Sequence, residues 1–225
     1  MKTLYSLLLF CITISLSAQN DQDKVVGEFK EIKVYDRIEV QLIKSDENRV
    51  VVSGKNTEDL VIVHKKDILK IRMTLEEAFD GDETTVKVYY TTLETIDSNE
   101  GAVVESNDVI EQFELKVKAQ EGGKVRLNVK DLKFFEVKAV SGGSIEASGN
   151  SKNQTIDINT GGSYEGEDLI TENTTVTIKA AGAAHVNATK DVVAKVRAGG
   201  NVYIYGNPEN VDKNTVLGGK IIIKE

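Results

Sequence analysis

From Phe29 to Leu42 apolar and polar residues alternate. Ile32, Val34, Ile38, Val40 and Leu42 keep one phase, as strands with one buried face do. Val50-Val51-Val52, Leu60-Val61-Ile62-Val63 and Ile68-Leu69-Lys70-Ile71-Arg72-Met73 continue the pattern. Ser45-Asp46-Glu47-Asn48 and Gly54-Lys55-Asn56 separate them as turns. The acidic stretch from Glu76 to Glu83, with Gly81 inside it, reads as a loop, with room for one helical turn over Leu75 to Phe79. Val86, Val88 and Tyr90 then restart a strand.

Beyond residue 95 a second rhythm takes over. Gly122-Gly123-Lys124-Val125, Gly142-Gly143-Ser144-Ile145, Gly161-Gly162-Ser163-Tyr164, Gly199-Gly200-Asn201-Val202 and Gly218-Gly219-Lys220-Ile221 share one figure. Gly101-Ala102-Val103-Val104 and Ala181-Gly182-Ala183-Ala184 are looser copies. A step of about 20 residues marks a stacked repeat. Counted from the first glycine (or Ala181) as zero, position three holds Val104, Val125, Ile145, Tyr164, Ala184, Val202 and Ile221. Position five holds Ser106, Leu127, Ala147, Gly166, Val186, Ile204 and Ile223. Positions two apart share a strand face, so this face points inward. Position four points outward: Glu105, Arg126, Glu146, Glu165, His185, Tyr203 and Ile222. A second strand precedes each glycine pair, with Lys118, Lys138, Asp157, Thr177 and Lys195 in its outward column.

The pattern predicts an all-β, parallel β-solenoid of about seven rungs, roughly 30–35 Å long at the strand spacing. Residues 28–95 form an N-terminal antiparallel strand region covering one end, and residues 96–225 form the Gly-Gly repeat array. The glycines sit at corners, where left-handed backbone angles and crowding disfavour a Cβ. Tyr164, large among small residues, has Gly166 and Ala184 beside it to make room.

The first residues change the setting. Lys2 and the apolar run from Leu4 to Leu16 predict a signal peptide over residues 1–18, followed by a disordered lead-in over 19–27. The lone cysteine, Cys11, falls in that apolar run, so the mature chain is expected to have no disulfide, thiol nucleophile or zinc thiolate site. The expected location is the periplasm, the outer membrane surface or the extracellular space, with no integral membrane segment after cleavage. The formal net charge is −8 and tryptophan is absent. No basic, aromatic-interleaved patch suits nucleic acid.

The chain resembles the putative auto-transporter adhesin, head GIN domain family. The likeness rests on Phe29-x-x-Ile32-x-Val34, Ile38-x-Val40-x-Leu42, Ile68-Leu69-Lys70-Ile71, the recurring Gly-Gly figure, and Tyr203-Ile204-Tyr205-Gly206-Asn207-Pro208. It covers about residues 29–223. The resemblance implies an exported, adhesin-like module and supplies no catalytic residues. Family members often carry a lipoprotein cysteine, which Cys11, preceded by Leu9-Phe10, does not match.

Candidate chemistry concentrates on the outward column. Glu146 and Glu165 stand one rung apart, a spacing at which paired carboxylates can cleave glycosides. Arg126 beside Glu146 and His185 beside Glu165 fit cross-strand ion pairing on a solvated face equally well. His64 and His185 are the only histidines, and no metal-ligand spacing surrounds them. Asp80, Asp82 and Glu83 around Gly81 read as a turn, not a calcium loop. The glycine pairs precede no helix and carry no phosphate-loop ending. The expectation is a non-catalytic module without cofactor or metal. Glu146, Glu165, His185, Tyr203 and Tyr205 form its candidate face for a protein or glycan partner. Carbohydrate binding or cleavage through Glu146 and Glu165, and a role as an envelope signalling partner, are the alternatives. Ile221-Ile222-Ile223 is apolar on both faces, which predicts cover from the N-terminal strands or from a second copy in a homo-oligomer.

Overall fold

The computed structural model describes residues 22–224, so the signal-peptide expectation lies outside the described residues. The N-terminal part contains β1 (Gln22–Val25), β2 (Glu31–Val34), β3 (Glu39–Lys44), β4 (Arg49–Gly54), β5 (Leu60–Lys65), β6 (Ile68–Met73) and β7 (Thr84–Tyr90). The repeat part contains β8 (Thr95–Ser98), β9 (Val103–Glu111), β10 (Glu114–Gln120), β11 (Lys124–Val140), β12 (Ser144–Asn159), β13 (Ser163–Ile178), β14 (Ala183–Ala198), β15 (Asn201–Tyr205), β16 (Asn210–Leu217) and β17 (Lys220–Ile223). All join one hydrogen-bonded sheet wound into a solenoid of about six turns. The count falls below the seven rungs expected from the glycine figures.

The repeat alignment is the observed register. Val125 pairs with Ile145, Ile145 with Tyr164, Tyr164 with Ala184, Ala184 with Val202 and Val202 with Ile221, all parallel. These inward residues are buried down to Val202. An ideal Cβ on Gly166 would come within 2.4 Å of the Tyr164 ring. Tyr164 is wholly buried, and its hydroxyl accepts a hydrogen bond from Gln154 Nε2. Thr174 Oγ1 donates to Gln154 Oε1 at 3.3 Å and shares a 2.8 Å bond with Thr171 Oγ1. The one phenol in the repeat core therefore sits in a closed polar network, which offsets the cost of burying it.

The two glycines of a corner serve different ends. Gly142 has φ +75° and nothing within 4 Å of a Cβ placed on it, so its role is conformational. At Gly143 a Cβ would lie 2.1 Å from the Ala119 carbonyl oxygen of the rung before. Its role is close approach. Each early corner is a pair of left-handed residues of which only the second is glycine, as in Ser141-Gly142 and Thr160-Gly161. From Ala181-Gly182 onward the left-handed pair moves one residue along, onto Gly199-Gly200 and Gly218-Gly219.

The N-terminal region is mixed, not simply an antiparallel cover. β2 lies parallel between β6 and β8, and β3 parallel between β7 and β9. Two further rungs, β2–β3 and β6–β7, thus extend the stack below β8–β9. Only β4, β5 and β1 run antiparallel: β5 on β6, β4 on β7 and β1 on β4. The expected disordered lead-in needs correction over Gln22–Val25. β4 has a free edge, and β1 pairs with it through backbone bonds although all four of its side chains are exposed. Asp23 also accepts from Arg49 Nη1 at 2.9 Å. Residues 19–21 lie outside the described residues. Leu75 to Phe79 forms turns, not a helix.

The β2–β3 corner carries no glycine. Asp36 and Arg37 both take φ 60°. The Asp36 carboxylate accepts from the backbone N–H of Met73 at 2.9 Å and of Phe79 at 3.3 Å, tying this corner to the rung beneath. The N-terminal strands sit at the end away from β17, so the expectation that they cover Ile221-Ile222-Ile223 is corrected. Val216, Leu217 and Ile223 are exposed there.

Candidate ligand face

Seven β strands place the outward residues of one sheet in a single column. Glu105 pairs with Arg126, Arg126 with Glu146, Glu146 with Glu165, Glu165 with His185, His185 with Tyr203 and Tyr203 with Ile222. Gln41 and Lys87 extend the column into the N-terminal rungs. Alternation along each strand fixes the direction of every member, and parallel stacking fixes the spacing at about 4.8 Å between backbones.

Within the column the polar groups engage one another. Arg126 Nε donates to Glu146 at 2.9 Å and its Nη1 to Glu105 at 2.6 Å. The Glu146 hydrogen bond, followed by the charges of Glu146 and Glu105, holds the guanidinium above its ordinary value. His185 Nε2 lies 3.8 Å from Glu165, and its Nδ1 shares a 3.0 Å hydrogen bond with the Tyr205 hydroxyl. Burial, then the nearby Glu167 charge, raises the Tyr205 phenol, so it stays protonated and polar. The His185 ring stacks on Tyr203 at 4.4 Å and on Tyr205 at 5.8 Å. Lys224, from the other side, lies 5.3 Å over the Tyr203 ring.

These contacts bring all five expected site residues onto one face. They also assign each a neighbour. His185 points outward as its register requires, yet it is only half exposed because two tyrosines flank it. Tyr203 has a ring on one side and an ammonium near the other, so its π faces are spent on the ladder. The hollow beside Glu146, lined by Glu105, Lys124, Arg126 and Ser144, holds about 70 Å³. A small-molecule site encloses roughly 300–1,000 Å³, so this hollow is too small to enclose a sugar ring against Glu146. Among the described residues no group of three or more His, Cys, Asp or Glu side chains is placed to hold a metal ion. No helix among them is long and apolar enough to cross a membrane.

Two features escaped the sequence reading. Asp97 is buried at an outward position between Lys33 and Lys118, each 3.8 Å away, and accepts from Asn99 and Gln120 at 3.1 Å. A charged residue amid lysines in one column was the available signal. The second is the excess of cations on the other sheet, visible in the Lys118, Lys138 and Lys195 column.

A family model described as putative auto-transporter adhesin, head GIN domain, matches residues 28–208. The chain belongs to this family. Its fold is shared with solved structures at low identity. A putative adhesin from Bacteroides fragilis superposes with a TM-score of 0.82 at 16% identity, over 91% of this chain and 96% of its own. A putative adhesin from Parabacteroides merdae gives 0.71 at 16%, over 93% and 98%. A putative lipid binding protein from Parabacteroides distasonis gives 0.74 at 16%, again over 93% and 98%. Identity this low establishes the fold alone. No curated protein matches the chain. The head GIN assignment places it with exported, adhesin-like β-solenoid modules.

Proposed function

We propose that this head GIN protein is a non-catalytic binding and structural module of the cell envelope, whose flat faces meet an extended glycan or protein partner. The observation that supports this most is the mutual engagement of the ladder. Arg126 hydrogen-bonds Glu146, His185 Nε2 stands 3.8 Å from Glu165, and the hollow beside Glu146 is too small to enclose a sugar. A glycosidase needs an acid and a nucleophile aimed at an enclosed sugar. A rigid face needs only fixed spacing, which stacked rungs provide. Purified protein screened on a glycan array and against envelope polysaccharides should show retention without cleavage. Glu146→Gln and Glu165→Gln should leave glycan hydrolysis at background. Hydrolysis that is measurable in the parent and lost in these variants would support the carbohydrate-active reading instead.

The partner of the last rung is part of the same proposal. Leu217 is 74% exposed and Val216 66%, beside unpaired edges of β16 and β17. A second copy docking end to end would bury them. Sedimentation equilibrium of the parent and of a Leu217→Lys, Ile223→Lys variant should show an associating and a monomeric species respectively.

A further inference from the structure

We propose that the second sheet of the stack is a docking surface for an acidic polysaccharide, gripped by Lys138, Lys195 and Arg197. The proposal rests on the binding-module reading above and names a face and a ligand class for it.

The surface follows from register. Lys138, Asp157, Thr177 and Lys195 form one outward column on β11 to β14, and Arg197 lies two residues beyond Lys195 on the same side. Asp157 is already neutralised by Lys179, whose Nζ lies 2.5 Å from it. Lys138, Lys195 and Arg197 are exposed, and among the described residues none has a carboxylate within ion-pair distance. The chain as a whole carries a formal net charge of −8. Uncompensated cations on an otherwise acidic molecule raise the local concentration of polyanions at that face.

The spacing favours a polymer. Lys138 and Lys195 stand three rungs apart, about 14 Å at the strand spacing. Between them the column carries Asp157, held by Lys179, and Thr177, with Thr155 and Thr175 beside them. An extended chain along the stack axis would meet a cation, then the Asp157–Lys179 pair and threonine hydroxyls, then two cations. Carboxylates of a polyuronate suit the ends of that track and sugar hydroxyls suit its middle. An anionic bilayer is a poorer match, because a charged plane would also press on Glu136 and Asp212, which flank the track. A single-stranded nucleic acid would want aromatic platforms along the track, and Phe134, the exposed aromatic on this side of β11, lies four residues before Lys138 and packs edge-on against Phe113.

The test measures binding of the purified full-length protein to polygalacturonate, to its fully methyl-esterified form, and to phosphatidylglycerol vesicles. The expected result is retention on polygalacturonate only. Affinity should fall about tenfold or more between about 50 and 200 mM salt, as polyanion binding does. A Lys138→Glu, Lys195→Glu, Arg197→Glu variant should lose about tenfold or more in affinity. A Lys65→Glu, Lys220→Glu variant, altered away from this track, should bind as the parent does. All five positions are exposed, and circular dichroism confirms that both variants fold. The proposal is overturned if the triple variant binds polygalacturonate like the parent, if the esterified polymer binds equally, or if only vesicles bind. Binding to the esterified polymer would sink this inference and leave the binding-module reading intact. Absence of binding to any glycan or envelope fraction would sink both.

Discussion

Tyr164 and Gly166 show how one residue depends on the absence of another. The Tyr164 ring fills space that a side chain at position 166 would need, and the clash distance of 2.4 Å involves ring atoms with nowhere to go. Gly166→Ala should therefore cost about 2–3 kcal/mol, in the overpacking range, by urea denaturation. In a Tyr164→Leu background the same change should cost less than about 1 kcal/mol, giving a coupled pair in a double-mutant cycle. Tyr90, also buried in the core, responds to pH. Burial pushes its phenol up to about 12. Its folded-state value is raised above the unfolded one near 10, so its contribution is whole below pH 10 and is lost as pH rises through 12. On that window stability should drop by about 2–3 kcal/mol from this group. Tyr90→Phe should flatten the decline in alkaline denaturation, whereas a parent-like slope would show that another group governs it. Much of this scale was legible in advance. The Tyr164 volume argument needed only the alignment of small residues, and the outward direction of His185 needed only period two. The half-burial of His185 was not legible, because stacking by Tyr203 and Tyr205 depends on rotamers that no pattern encodes.

At the scale of elements, the corner is the unit that repeats. Two left-handed residues turn the chain, and the next residue passes under the backbone of the preceding rung. Gly142→Ala should cost about 1 kcal/mol, the price of a left-handed Cβ in open space. Gly143→Ala should cost several times more, because the Ala119 carbonyl oxygen is backbone and its hydrogen bonds hold it in place. Thermal unfolding of the two variants separates the roles, and equal losses would mean that conformation alone governs the corner. The same unit explains which rungs were hidden. Asp36-Arg37 makes the corner between β2 and β3 without glycine, stacking on the Glu100-Gly101 corner through the Arg37 N–H to the Glu100 carbonyl at 3.0 Å. A reader counting glycines sees antiparallel strands there. Nothing in the alternation of Ile32, Val34, Ile38 and Val40 tells a parallel neighbour from an antiparallel one, since both bury alternate residues.

At the scale of the molecule the two ends differ. Antiparallel β5 and β4, with β1 on β4, close one end, while β16 and β17 leave the other open. Between them every rung touches only its neighbours, so the stack behaves as a nearly one-dimensional object. Removing residues 163–182, one whole rung, joins Gly162 to Ala183 in phase. The shortened protein should fold cooperatively with a lower urea midpoint. Removing half as many residues would set a corner against the middle of a neighbouring strand and should abolish folding, read as loss of the β-sheet circular dichroism signal. The candidate ladder was readable at this scale because one register fixes a whole column. The basic second sheet was not, since its meaning comes from which lysines lack a carboxylate, and pairing is a fact of three dimensions.

The order in which the strands are laid down differs from their order in the stack. Of the parallel rungs β2 and β3 come first in sequence, yet β6 and β7 return to one side of them and β8 and β9 to the other. The middle of the N-terminal block is thus a seed that is sealed on one flank and left growing on the other. By Tyr90 the seed is complete, and each later rung is templated by the one just finished. A chain delivered amino end first could assemble at the pace of its delivery, never waiting for a distant segment. The seed also leaves length unconstrained. Lengthening the array by one corner and two strands would disturb neither the seal nor the template, so the reach of the molecule from its base is a quantity that duplication or loss of a single repeat can tune.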